Sequence, residues 1–154
     1  MIEHSTTHTT FTLERLYPVP VARVFAAWAD PKVKAHWFAP DGEHELDFRV
    51  GGREVNRHLR DDGPPLMVES WYRDIVQDER IVYTSALYAG DDLATVSLTT
   101  IELCPGDDGG TRLVLTEQDT FLDGREDPSW REQGTGSWLD ALGAELRETD
   151  APRP

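Results

Sequence analysis

The segment from Phe48 to Thr84 restricts this chain most. It opens with FRVGGREVNRHLRDDG and closes with VESWYRDIVQDERIVYT. A glycine pair at a corner, an Asp-Gly turn and an acidic turn at Gln77-Asp78-Glu79 cut it into short runs. Each run is too short for a helix and rich in residues that favour pleated backbone, so the segment predicts successive antiparallel strands. Ahead of it, Phe11, Leu13 and Tyr17 alternate with polar residues, the period of a half-buried strand. Val21, Val24, Phe25 and Trp28 then fall at i, i+3, i+4 and i+7 behind Pro20, which predicts a short helix. Asp30-Pro31 pairs an N-cap with a first-turn proline and starts a second, in which Val33 and Trp37 share a side before Pro40. Turn signals continue to residue 119. Asp127-Pro128 then opens a long helix marked by Trp130, Gly134, Trp138, Leu142 and Leu146. The order is one strand, two short helices, six strands and a long helix. It predicts an α+β chain, with a curved antiparallel sheet wrapped around the C-terminal helix. Such a sheet generally encloses a cavity.

Composition limits what the cavity can serve. The chain has 154 residues, the size of one ordinary domain, with 15 Lys+Arg against 29 Asp+Glu and a net charge of −14. That balance argues against nucleic acid or an anionic membrane as partner, because both are held through basic residues. Cys104 is the only cysteine, which excludes an intramolecular disulfide and a cysteine-based zinc cluster. No signal-like or membrane-length apolar run appears, so a cytoplasmic location is expected. Residues 1–10 and 149–154 are expected to be flexible, around a single domain at 11–148.

The motifs ADPKVKAHWF, FRVGGREVNR, YRDIVQDERIVYT, TRLVLTEQDTFLDG and REQGTGSWLDALGAEL, in this order and spacing, resemble the START-like (SRPBCC) superfamily. Specifically, they resemble its branch related to the C-terminal domain of the activator of Hsp90 ATPase. The resemblance spans Phe11 to Leu146. It implies a helix-grip fold with a hydrophobic or amphipathic cavity between sheet and last helix. It says less about activity, since relatives include ligand carriers, cyclases and co-chaperone domains. Two departures stand out. Gln77 replaces a frequent turn proline, and Gln133 replaces a histidine of some relatives, which removes a titratable group expected on the cavity side.

The strand after Gly51-Gly52 admits two registers. Apolar alternation turns Val55 and Leu59 inward, with Arg57 beside them to favour an anionic ligand group. The family pattern instead turns Glu54, Asn56 and His58 toward the cavity, and a one-residue shift exchanges the faces. The family register is adopted, because the strand fits between corner and turn without a gap. Glu54 is then expected to be buried beside Asn56, His58 or a tyrosine hydroxyl. Its pKa should be raised if desolvation dominates, making Glu54 a candidate base and His58 a proton carrier. Family geometry adds Trp37, Tyr72, Tyr83, Glu117, Trp138 and Leu142 to the ligand-binding set, whereas Trp28 reads as core. No metal or other cofactor is expected. Glu54, His58 and Glu117 lack clustered ligand spacing, and neither a phosphate loop nor a nucleophile elbow appears. His4 and His8 read as part of a frayed terminus, and His36 and His44 as surface residues. The expected partner is a small hydrophobic or amphipathic molecule. Homodimerisation, Hsp90 binding and a cyclase- or hydrolase-like reaction on polar cavity groups are the alternatives.

Overall fold

The computed structural model describes residues 4–150. Strand β1 (Thr6–Tyr17) is followed by helices α1 (Val21–Ala29) and α2 (Pro31–Phe38), and then by β2 (Glu43–Leu46) and β3 (Arg53–His58). Four longer strands come next: β4 (Leu66–Val76), β5 (Arg80–Ala89), β6 (Asp92–Pro105) and β7 (Thr111–Leu122). Helix α3 (Pro128–Asp150) ends the fold. The strands form one sheet in the order β1-β7-β6-β5-β4-β3-β2, with every neighbouring pair antiparallel.

The start signals act as expected. Asp30 accepts the Lys32 backbone N–H at 2.9 Å, and Asp127 accepts that of Ser129 at 2.9 Å. Each satisfies a donor that the first helical turn leaves open. The glycine corner is sterically required. A side chain on Gly52 would overlap the Asp47 carbonyl oxygen, and Gly51 has φ 84°. The corner also closes onto β4, with Gly51 N–H donating to Tyr72 O at 2.8 Å and Tyr72 N–H to Gly52 O at 3.1 Å.

The ends depart from expectation. Residues 6–10, expected to be flexible, are the first half of β1, and His8 stands opposite Thr120 of β7. The threonine-rich run suits a strand, and β7 supplies its ladder. His4 Nδ1 lies 3.3 Å from Asp123. At the other end α3 runs to Asp150; residues 151–154 lie outside the described residues.

Apolar burial gathers around the C-terminal half of α3. Leu139, Leu142 and Leu146 pack with Val24, Phe25 and Trp28 of α1 and with Ile101, Leu103, Leu113 and Leu115 of the sheet. The Tyr17 hydroxyl donates to Leu139 O at 2.7 Å, fixing helix to sheet at mid-length. The other end of the inner face is polar. Thr95, Ser97 and Thr99 are buried there, while Val96 and Leu98 between them remain 43% and 37% exposed on the convex face. Among the described residues, no helix is long and apolar enough to cross a membrane.

Candidate functional site

Two buried ionic clusters flank the interior. The first is built on α2, where Lys34, Trp37 and Phe38 share the buried side. Lys34 and Glu54 are 1% and 3% exposed, and Lys34 Nζ donates to Glu54 Oε1 at 2.8 Å. The Tyr72 hydroxyl donates to the same oxygen at 2.6 Å, and His44 Nε2 lies 2.7 Å from Oε2. The Lys34 ammonium also sits 4.5 Å from the ring centre of Phe38 and 5.1 Å from that of Trp28, a favourable cation–π setting. Burial alone would raise the Glu54 carboxyl. The Lys34 charge, with hydrogen bonds from His44, Lys34 and Tyr72, outweighs it and holds the group at about 2. Burial pulls Lys34 down against the attraction of Glu54, and pushes the Tyr72 phenol up. With three groups converging on it, Glu54 carries the negative charge.

The second cluster centres on Arg131, in the first turns of α3. Its Nε donates to Glu117 Oε2 at 2.8 Å, Nη1 to Glu126 Oε1 at 3.3 Å and Nη2 to Ser97 Oγ at 3.0 Å. Asp119 is two residues beyond Glu117 on β7, with Oδ1 3.9 Å from Arg131 Nε, and accepts from Thr9 Oγ1 at 3.3 Å. Burial, followed by the hydrogen-bonded and like-charged Glu117, pushes the Asp119 carboxyl up to about 8, against Arg131 and Thr9. Asp119 therefore keeps its proton at neutral pH, as a buried carboxyl beside another does.

Between these clusters a cavity of about 320 Å³ opens under the first half of α3. The helix contributes Trp130, Arg131, Gly134, Thr135 and Trp138, and the sheet contributes Asn56, His58, Leu66, Val68 and Leu87. Phe38 to Gly42 and Glu126 complete the rim. Phe38 and Trp138 touch, with ring centres 4.5 Å apart. Gly134 leaves open space, since a side-chain carbon there would meet no atom within 4 Å. The volume lies at the small end of the range for ligand pockets, which bury most of a guest against apolar walls with a few polar contacts.

The structure sorts the expected site residues. Asn56, His58 and Trp138 line the cavity. Glu54 is buried as the family register implies and bonds a tyrosine hydroxyl, but its pKa is lowered, not raised, because Lys34 supplies a countercharge. That makes it a weaker base than an ordinary carboxylate. Leu59 is exposed, yet Val55 is as buried as Glu54 on the opposite face, so alternation could not choose the register. Trp37, Tyr72, Tyr83 and Leu142 belong to the packed core, away from the cavity. The Trp37 indole is spent on Ala27 O at 3.0 Å. Glu117 lies behind Arg131. Gln133 is exposed, on the side of α3 facing β1. Sequence reasoning missed Lys34, His44, Asp119, Glu126 and Arg131. The one available signal was Lys34, at i against Trp37 and Phe38 at i+3 and i+4.

A concave sheet, a long helix gripped across it and a cavity between them define a START-like, helix-grip protein. More narrowly, the chain belongs to the activator of Hsp90 ATPase homolog 1-like protein family, whose model matches residues 18–147. A crystal structure of a Rhizobium loti protein is 44% identical, with a TM-score of 0.85 over 92% of this chain and 99% of that one. An uncharacterised Rhizobium leguminosarum protein is 40% identical, with a TM-score of 0.89 over 94% and 98% of the two chains. A Chromobacterium violaceum protein is 28% identical, with a TM-score of 0.74 over 89% and 96%. No curated protein matches the chain.

Proposed function

We propose that the protein binds a small hydrophobic or amphipathic molecule in the cavity beneath the first half of α3. The observation that carries this reading is the cavity itself, about 320 Å³ with Phe38, Leu66, Val68, Leu87 and Trp138 as apolar walls and Asn56, His58, Glu126 and Arg131 as polar groups among them. Aromatic walls give large contact area to a flat guest, and the polar groups orient it. The reading rests on binding, because Glu54, the candidate base, is tied up by Lys34, His44 and Tyr72. Native mass spectrometry of freshly purified protein should show a co-purifying small molecule. The neutral dye N-phenyl-1-naphthylamine should fluoresce on the native protein, and Trp138→Ala should weaken that binding. Protein that carries no guest and leaves the dye dark would remove the basis of the proposal.

A further inference from the structure

An arginine in an apolar cavity invites the reading that it receives a ligand carboxylate or phosphate. The contacts of Arg131 oppose that reading. Each nitrogen of its guanidinium already donates within the protein, to Glu117, Glu126 and Ser97. Three carboxyl groups surround it: Glu117, Glu126 and, behind them, Asp119. Even with Asp119 protonated, two carboxylates against one guanidinium leave the group with a net negative charge. Asp41 adds another acid at the rim. The start of α3, where an anion would otherwise be welcome, is already met by the Asp127 carboxylate.

The acceptors left over point the same way. Glu126 lines the cavity, and its Oε1 receives Thr95 Oγ1 at 2.5 Å and Arg131 Nη1 at 3.3 Å. Among the described residues, nothing donates to Glu126 Oε2. On the opposite wall Asn56 Oδ1 is buried with no hydrogen-bond partner. A buried acceptor without a donor is costly, and a guest that supplies one removes the cost.

We propose that the cavity selects an uncharged or cationic aromatic amphiphile that donates a hydrogen bond to Glu126, and that it excludes organic anions. This inference rests on the binding reading above and assigns its chemical class. The test is displacement of N-phenyl-1-naphthylamine from the intact protein at pH 7 by three molecules sharing one ring system: 1-naphthol, 1-methoxynaphthalene and 1-naphthoate. A hydrogen bond to a charged group is worth roughly tenfold in affinity, so 1-naphthol should compete about tenfold better than its methyl ether. The carboxylate should be weaker still than the ether. Glu126→Gln should shrink the 1-naphthol advantage and improve 1-naphthoate by at least about threefold, the scale of a single partly exposed charge. Glu132→Gln, which removes the same charge from the side of α3 facing β1, should change neither. If 1-naphthoate competes as well as 1-naphthol, or if Glu132→Gln acts like Glu126→Gln, the inference is overturned while the cavity reading stands. If N-phenyl-1-naphthylamine does not bind at all, both are overturned.

Discussion

Removing Lys34 tests whether the ionic cluster beneath α2 is held together as described. Lys34 Nζ and Glu54 Oε1 are 2.8 Å apart, an attraction of about 6 kcal/mol at an effective dielectric constant near 20. Desolvating the two ions costs a comparable amount, so the intact pair contributes little net stability. In Lys34→Met the balance is broken, because Glu54 keeps its burial and loses its countercharge. Such single deletions cost about 3–5 kcal/mol. An independent bound comes from letting Glu54 take up a proton on folding. From its ordinary value of 4.5, that costs about 3.4 kcal/mol at pH 7. The two routes agree on a loss near 3 kcal/mol, measurable by urea denaturation followed through tryptophan fluorescence. Lys34→Met/Glu54→Gln should recover most of it.

The pH dependence makes this prediction sharper. In the native protein the Glu54 carboxyl is lowered to about 2, so its stabilisation is present above 4.5 and lost as pH falls through 2. In Lys34→Met the folded value is raised above the unfolded one. Its contribution is then greatest below 4.5 and lost as pH rises. Moving from pH 7 to pH 5 should therefore stabilise Lys34→Met relative to the native chain. A loss below about 1 kcal/mol at pH 7, or a variant whose deficit does not narrow on acidification, would refute the cluster as an ion pair.

Two further outcomes are expected from α3 and β7. Asp119 is raised from 3.8 to about 8, so its contribution to stability is full below 3.8 and lost as pH rises through 8. Asp119→Asn keeps the shape without the titration. Its advantage over the native chain should widen as pH rises from 5 to 8 and level off above, seen by urea denaturation across that range. Gly134→Leu adds a side chain where the structure leaves open space. It should raise helix stability by up to about 1 kcal/mol while lowering affinity for N-phenyl-1-naphthylamine more than tenfold, by filling the cavity.

Local signals made the fold legible. Asp30-Pro31 and Asp127-Pro128 cap helices where they stand, and Gly51-Gly52 turns a corner that no side chain would allow. The site was legible in part. Asn56, His58 and Trp138 were placed by analogy with relatives and do line the cavity. The same analogy misplaced Trp37, Tyr72, Tyr83 and Leu142, whose bulk fills the core. Alternation was unreliable at two strands for physical reasons. On β3 both Glu54 and Val55 are buried, so neither face could be picked by polarity. On β6 the polar residues Thr95, Ser97 and Thr99 face inward beneath the second ionic cluster, while Val96 and Leu98 face outward. Lys34 and Glu54 are 20 residues apart, on helix and strand, and nothing local to either names the other.

The two halves of α3 are attached to the sheet by different means, and the cavity follows from that difference. Leu139, Leu142 and Leu146 interdigitate with the apolar floor, and close packing there leaves no room for a guest. Ahead of Tyr17 and Leu139, Arg131 reaches across to Glu117 and Ser97 of the sheet, and Arg15 Nη2 of β1 donates to Gly136 O at 3.3 Å. A guanidinium on its long stem holds the helix at a distance that leucine packing would close. Gly134 adds no bulk to fill the gap. The ion pairs that fix this half of the helix thus stand at the wall of the space under it, which both Arg131 and Glu126 line.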